Sequence, residues 1–358
     1  MRLAIAAALT LLALPAAIFA TRSAGEPEAP ADHAAAAVEW EATATPAQRA
    51  RGEVQFALSR RYKGGHWMHS HTRPLAELTG LSPAAFSAGS ASDVAFALVR
   101  DAGTIACRGT ARQSRGSGAC DFRPDRAFAA WLGERGFGTP NDNQLFSLAL
   151  ANTGRAFAEE AARQNYTGAK VADLVRAGEH GVTADYIRKM GAHGYRVGTL
   201  DALIDMRDHG VGPEYIAELA QNGIRDIPAV EIVRLRDHGV SAEFVAAVRA
   251  AGYRDIATGD LIRLRDHGVT AEFIAAARRH NVAGLAPADL VQMRDHGVSP
   301  EFLADLAALG YDRLRAGEIV QMRIHGVDAA FIRRANASGG RRTPEELVAL
   351  RIGGFANR

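Results

Sequence analysis

The stretch that decides the fold is Asp260-Leu-Ile-Arg-Leu-Arg-Asp-His-Gly-Val-Thr-Ala-Glu-Phe-Ile-Ala-Ala-Ala-Arg278. Related stretches recur at an unvarying interval of 29 residues, and each is centred on a His-Gly pair. The six histidines of these pairs are His180, His209, His238, His267, His296 and His325. A constant interval without insertions is typical of a tandem-repeat array, in which one small structural unit is stacked many times.

Each unit is predicted to form two short helices. Leu261 and Leu264 give the first helix an apolar side, and Gly268 ends it because glycine adopts the left-handed conformation without strain. Thr270 is expected to cap the second helix, whose apolar side includes Phe273. Helices of this length are not stable alone in water, so each must pack against its neighbours. The pattern therefore predicts an α-solenoid.

Equivalent positions of successive repeats carry the same kind of residue. The first helix has an aliphatic column, Leu174, Leu203, Ile232, Leu261, Leu290 and Ile319, and the second has an aromatic one, Tyr186, Tyr215, Phe244, Phe273, Phe302 and Phe331. The second helix is predicted to stop at Gly194, Gly223, Gly252, Asn281, Gly310 and Gly339. Asn281 is informative, because asparagine is the next-best residue in the left-handed region. Incomplete copies around Leu145 and Leu347 indicate terminal caps.

The chain of 358 residues divides by composition near residue 139, because both cysteines and all three tryptophans precede that point. Residues 39–138 are predicted to form a small β-rich domain, with strands at 54–59, 66–71 and 93–100 and a closing helix at 126–133. Residues 139–358 are predicted to form the helical array, with six full repeats and degenerate ends. The expected fold class is thus a two-part α+β protein.

The N-terminal residues 1–24 resemble a signal peptide, with Arg2 before an apolar run and small residues suited to cleavage after Ala20 or Ala24. The alternative is an uncleaved membrane anchor, since the run is near the lower length limit for spanning a bilayer. Residues 25–38 are rich in Ala, Pro, Glu and Ser, which is typical of a linker. We therefore expect an exported protein, periplasmic or extracellular, which contacts a membrane only if the segment is uncleaved.

Export makes the two cysteines informative. Folding the chain about Gln113-Ser114 places Cys107 opposite Cys120 on paired strands, close enough for a disulfide. The alternative is a pair of free buried thiols, which an oxidising compartment disfavours.

The six His-Gly histidines do not have the geometry of a metal ladder. Stacked helices lie about 8–10 Å apart, whereas two nitrogens on one zinc must each lie about 2 Å from the ion. We expect each histidine instead to be a structural helix cap at the negative end of the helix dipole. No metal and no cofactor is predicted.

A second column consists of arginines and is the predicted binding site: Arg207, Arg236, Arg265, Arg294 and Arg323. A regular row of guanidinium groups could bind an acidic peptide or another anionic ligand. The alternative is a purely structural ladder. In that case the arginines would pair with the neighbouring acidic columns, Asp208, Asp237, Asp266 and Asp295 or Glu214, Glu243, Glu272 and Glu301.

Other chemistry is weakly indicated. His66, His69 and His71 form the one close histidine cluster, but a third ligand on the face shared by His69 and His71 is not evident, so a surface strand is favoured over a metal site. The hydrolase, zinc-peptidase and phosphate-loop motifs are absent, so the protein is not expected to be an enzyme. Export and a formal net charge of +2 oppose nucleic-acid binding.

The repeat unit L-x-x-L/M-R-x-H-G-V-[ST]-x-E-[FY]-I resembles arrays in exported or membrane-bound bacterial proteins. Some of these arrays follow a BlaR1-like membrane metallopeptidase domain, and others stand behind a small β domain. The peptidase itself has no counterpart here. The resemblance and the motifs together predict a non-catalytic binding scaffold of the cell envelope that recognises a protein or anionic ligand. The alternative is a regulatory sensor that acts with a membrane partner such as a signalling peptidase.

Overall fold

The computed structural model describes residues 38–354 except 63–64, 283–284 and 338, and it consists of an antiparallel sheet followed by stacked helices. This confirms the two-part α+β fold. The predicted signal peptide and all of the predicted linker except Val38 lie outside the described residues, and Val38 begins the first strand. Within the part of the chain described, no helix combines the length and apolar character needed to span a bilayer.

The sheet has seven strands in the order β3-β2-β1-β7-β6-β5-β4, and every neighbouring pair is antiparallel. The strands are β1 (Val38–Thr43), β2 (Glu53–Tyr62), β3 (Gly65–Pro74), β4 (Leu78–Thr79), β5 (Ser92–Arg100), β6 (Gly103–Arg112) and β7 (Arg115–Pro124), with the short helix α1 (Pro46–Ala50) after β1. The strands predicted at 54–59 and 66–71 lie within β2 and β3, which pair with each other. The interior position of β1, between β2 and β7, was not predicted.

The core of the sheet is built around Trp40, which is fully buried. Its ring meets Phe96 edge to face at 5.0 Å, and its Nε1 donates a hydrogen bond to the Arg108 carbonyl at 3.0 Å. Strand β7 passes close to the ring because it carries glycine there. A Cβ at Gly118 would lie 2.7 Å from Trp40 Nε1. Glycine thus lets a large side chain fill the space between strands.

The hairpin formed by β6 and β7 has the predicted register. Cys107 lies opposite Cys120, and the two form a disulfide. Gln113 and Ser114 make the turn with φ of 45° and 72°, the left-handed backbone that a two-residue hairpin requires. The prediction of this disulfide is confirmed. Disulfides persist in oxidising compartments.

The helical part begins with α2 (Arg126–Glu134), which closes the sheet domain. Helices then follow in pairs: α3 (Asp142–Ala151) and α4 (Arg155–Arg163), α5 (Val171–Glu179) and α6 (Ala184–Ala192), α7 (Leu200–Asp208) and α8 (Pro213–Gln221), α9 (Ala229–Asp237) and α10 (Ala242–Ala250), α11 (Thr258–Asp266) and α12 (Ala271–Arg279), α13 (Pro287–Asp295) and α14 (Pro300–Ala308), α15 (Ala316–Ile324) and α16 (Ala329–Asn336), and finally α17 (Pro344–Ile352).

The helix pairs lie one on another, so that the first helices form one stack and the second helices form another. First helices contact first helices of adjacent repeats, as α11 does with α9 and α13, and second helices contact second helices, as α12 does with α10 and α14. The aliphatic and aromatic columns are buried between these two stacks along the whole array. The helical repeat array predicted from the spacing is confirmed.

The predicted capping and stop residues lie at the ends of the helices. Thr270 accepts a hydrogen bond from the Phe273 amide and caps α12. The glycine of every His-Gly pair has a positive φ. At the second stop Asn281 is left-handed with φ of 53°, as predicted. In the last repeat the prediction was wrong by one residue, since Gly340 and not Gly339 takes the positive φ.

The sheet and the array share one continuous core. Phe146 on α3 packs against Trp67 and Phe122 of the sheet, at 5.8 and 5.3 Å between ring centroids. Two charged side chains of the sheet domain form hydrogen bonds with backbone groups at the ends of helices of the array. Arg73 donates to the Leu150 carbonyl at the end of α3, and Asp101 accepts from the Arg155 amide at the start of α4.

Candidate binding edge of the array

The candidate site is the edge of the array where each first helix turns into its second helix, which we call the His-Gly edge. It consists of the last turn of each first helix, the His-Gly pair and the cap of the second helix. Each of the six histidines is the residue that ends its helix, with φ between −94° and −79°, and the glycine after it takes the left-handed conformation. The edge therefore presents a histidine and a left-handed glycine once per repeat.

The histidine rings pair with aspartates of the following repeat. The Nδ1–carboxylate distances are 2.8 Å for His180–Asp208, 2.6 Å for His209–Asp237, and 2.7 Å for both His238–Asp266 and His267–Asp295. The sequence analysis assigned the rings to their own helix ends. The structure instead places four of them in a ladder between repeats. Ile324 stands where the next aspartate would be, and the ladder stops there.

The pairing of His209 affects the protonation of its ring. The hydrogen bond that the His209 ring donates to the Asp237 carboxylate, reinforced by the negative charges of Asp237, Asp205 and Asp208, raises the pKa of His209 above its ordinary value. Protonated imidazole is the better partner for a carboxylate. The pair is therefore strongest in mildly acidic solution.

The arginine row lies over the aromatic column of the preceding repeat. The distances from the guanidinium carbon to the ring centroid are 5.6 Å for Arg207 on Tyr186, 4.9 Å for Arg236 on Tyr215, 5.6 Å for Arg265 on Phe244, 5.2 Å for Arg294 on Phe273 and 5.2 Å for Arg323 on Phe302. Such cation–π contacts contribute about 0.5–1 kcal/mol each at exposed sites. Stacking fixes the orientation of each side chain.

Two arginines of the row also donate to the left-handed glycines. Arg265 Nε lies 3.0 Å from the Gly239 carbonyl oxygen, and Arg294 Nε lies 3.2 Å from that of Gly268. These carbonyls follow the end of the first helix of the preceding repeat, where backbone acceptors lack a partner within the helix. The guanidinium groups thus satisfy exposed backbone and hold adjacent layers together.

The charge of the row is nevertheless not neutralised. No Asp or Glu oxygen of the described residues lies within 4.0 Å of any of the five guanidinium groups. Four of these arginines are exposed and Arg294 is half-buried. The aspartates that the alternative interpretation assigned to the arginines are paired with histidines. Sequence spacing did not reveal these partners, because each paired histidine lies 28 residues before its aspartate, in the preceding repeat.

Tyrosines form a further set of contacts between repeats that the sequence analysis did not identify. Tyr186 Oη donates to the Val211 carbonyl at 2.8 Å and Tyr215 Oη to the Val240 carbonyl at 2.7 Å. Burial raises the pKa of both phenols to about 12. Phenylalanine takes this position in later repeats, so the contact stiffens only the first part of the edge.

The histidine cluster of the sheet lies on β3. His69 stacks on Trp67, and its ring centroid is 4.4 Å from that of His71. Burial, with the nearby His71 and Arg73, lowers the pKa of His69 to about 4, so this ring is neutral at physiological pH. Among the residues that the structure describes, no group of three potential ligands could hold a metal ion.

Comparison with known proteins identifies no relative: no protein-family model matches this chain, and no similar curated protein is found. Function must therefore be argued from the geometry of the His-Gly edge. That edge offers a row of oriented, unneutralised guanidinium groups, which suits the recognition of anions.

Proposed function

We propose that this protein is an exported, non-catalytic binding scaffold whose His-Gly edge recognises an anionic ligand, most simply an acidic segment of a protein in the cell envelope. The observation that carries the proposal is the arginine row, in which five guanidinium groups recur once per layer without a carboxylate partner in the described structure. A ladder of ion pairs, the alternative drawn from the sequence, would neutralise these charges within the protein.

The geometry of the row supports recognition by several groups at once. Neighbouring arginines are separated by one helix layer, about 8–10 Å. An extended peptide rises about 3.3 Å per residue, so carboxylates three residues apart match the row. Each contact is weak, but contacts along one chain add through effective concentration. Because stacking already orders the arginines, binding costs little side-chain entropy.

Two features support export. The disulfide Cys107–Cys120 is of the kind that persists in oxidising compartments. The N-terminal segment has the pattern of a signal peptide. Together they are consistent with a periplasmic or extracellular protein.

The test measures binding of fluorescently labelled poly-L-glutamate to the full mature chain by anisotropy at low salt. Replacing Arg236, Arg265 and Arg294 by Gln is expected to weaken binding at least about tenfold, because three charge-assisted hydrogen-bond donors are lost. The matched control replaces Arg176, Arg234 and Arg263, which are ion-paired with Asp173, Glu231 and Asp260 on the first helices, by Gln. It removes the same formal charge.

Binding that weakens in the row variant and persists in the control supports the proposal. Equal weakening in both variants would mean that only net charge attracts the polymer. Circular dichroism of each variant checks that the array is intact. A wild-type protein that binds no polyglutamate at low salt would remove the proposal altogether.

A further inference from the structure

The first repeat of the array, formed by α3 and α4, lacks one element of the arginine row. Phe157 occupies the aromatic position, and Asn152, with φ of 56°, occupies the left-handed position of the His-Gly glycine. The arginine that would cover this ring should stand 29 residues before Arg207, where the sequence has Gly178. The ring and the carbonyl are therefore present without an arginine at the position that covers them in later repeats.

The chain cannot supply that group from residue 178. A Cβ at Gly178 would lie 2.1 Å from Thr153 Oγ1 and 2.6 Å from the Ala151 Cβ. Any side chain there would collide with the end of α3, so glycine is required by space. Residue 178 therefore supplies no side chain to the neighbourhood of Phe157, for a steric reason.

A cavity of about 270 Å³ is found at this place. Its lining includes Asn152, Phe157 and Val182. These residues occupy the same positions of the 29-residue repeat as the groups that surround a guanidinium inside the array. Arg294, for example, stacks on Phe273 and donates to the carbonyls of Gly268 and Val298. The cavity lining thus includes the counterparts of the three residues that Arg294 contacts.

The sheet domain adds a negative charge that internal repeats do not have. Asp101, in the turn between β5 and β6, also lines the cavity, and its carboxylate accepts the Arg155 amide at 2.7 Å. No Lys, Arg or His nitrogen among the described residues pairs with it. Asp185, on the opposite wall, is already paired with Lys189 at 2.9 Å and with Arg188. Asp101 is therefore the carboxylate available to a new cation.

We propose that this cavity binds an arginine side chain supplied by a partner peptide. The guanidinium lies against Phe157, donates to the Asn152 carbonyl and pairs with Asp101. The volume is below the roughly 300–1,000 Å³ of sites for drug-sized ligands, and it suits a single side chain. The planar guanidinium combines stacking with directed donation, which an ammonium group does not. This inference does not rest on the proposed function, which concerns ligands of the opposite charge.

The test is a titration of the ¹⁵N-labelled full chain with N-acetyl-L-argininamide, followed by amide chemical shifts. We expect saturable shifts confined to amides around the cavity, such as Asn152 and Thr183, with a dissociation constant on the order of 1 mM for so small a ligand. The citrulline analogue, which has the same shape without the charge, is expected to cause no saturable shift. Longer peptides bearing one arginine are expected to bind more tightly.

Two variants make the test specific. Asp101→Asn keeps an oxygen that can cap α4 but removes the charge, and we expect it to weaken binding about tenfold. Arg265→Ala opens an equivalent space over Phe244 inside the array, without an aspartate from the sheet. We expect it to create a second, weaker site whose shifts appear near Gly239.

The proposal is overturned if citrulline and arginine analogues give equal shifts, if the shifts scatter over the acidic surface, or if Asp101→Asn leaves the affinity unchanged. Failure of the arginine titration with normal polyglutamate binding would reject this site alone. Failure of polyglutamate binding with a normal arginine titration would reject only the proposed function.

Discussion

The sheet domain and the repeat array are stabilised by contacts of different sequence range. In the sheet, the Trp40 indole bonds to the carbonyl of a residue 68 positions away, and that contact occurs once. In the array, the His209–Asp237 and Tyr215–Val240 contacts span 28 and 25 residues, and similar contacts recur in neighbouring repeats. We therefore expect a destabilising substitution to unfold the sheet as a unit. In the array, the effect of such a substitution should be largest in the substituted repeat and its neighbours.

The largest expected effect compares one buried aromatic residue from each region. Trp40→Ala and Phe273→Ala should each cost about 3–5 kcal/mol, because both rings are almost fully buried. Hydrogen exchange should show loss of protection over the whole sheet for Trp40→Ala. For Phe273→Ala the loss should be centred on α11–α14 and decline with distance along the array. Uniform loss of protection across the array would show that the array, like the sheet, unfolds as a unit.

Removing the disulfide should have the next largest effect. Replacing Cys107 and Cys120 together by Ala should lower the free energy of unfolding of the sheet by about 3 kcal/mol, since the bridge closes a short ring. Chemical denaturation followed by tryptophan fluorescence measures the sheet, because the described tryptophans lie before the array. The helical signal at 222 nm should move much less. An equal shift of both signals would show that sheet and array unfold together.

Within the array, two nearby arginines should differ. Arg265→Ala should cost about 1 kcal/mol, because it removes the stack on Phe244 and the hydrogen bond to Gly239. Arg263 pairs only with Asp260 on the surface, and Arg263→Ala should cost about 0.3–0.5 kcal/mol. Urea denaturation of both variants checks the order. A larger loss for Arg263→Ala would contradict the role assigned to the row.

The smallest expected effect is a dependence on pH that distinguishes the array from the sheet. The pKa of His209 is raised in the folded protein, so its pairing with Asp237 contributes fully below about pH 6.5, the unfolded value, and is lost as pH rises through the folded pKa. An exposed pair of this kind is worth about 0.2–1 kcal/mol. Thermal unfolding at pH 5.5 and 8.5 should show that Asp237→Asn destabilises the protein only at the lower pH.

The same variant at pH 8.5 serves as its own control, because the imidazole is then neutral in both proteins. Destabilisation of equal size at both pH values would mean that the contact depends on packing and not on charge.

Much of the array could be predicted because its determinants are local. A left-handed glycine, a capping threonine and a column of buried leucines each act within a few residues, and repetition makes them visible without an alignment. The disulfide was predictable for a similar reason, since the turn at Gln113-Ser114 fixes the pairing across one hairpin. The partners along the His-Gly edge were not, because Arg207, Asp208 and His209 are adjacent in sequence and spacing does not tell which side chain meets which.

We could predict the period, the two-helix unit, the division into two parts and the hairpin with its disulfide from the amino-acid sequence. These features follow from backbone preferences and apolar patterning over short distances. The folded structure was needed to show that aspartates pair with histidines and that arginines stack on rings with their charge unneutralised. It was also needed to show that Thr153 leaves no room for a side chain at Gly178. These outcomes depend on the rotation and separation of adjacent layers. Such geometry is set by the packing of all columns at once, and no single segment specifies it.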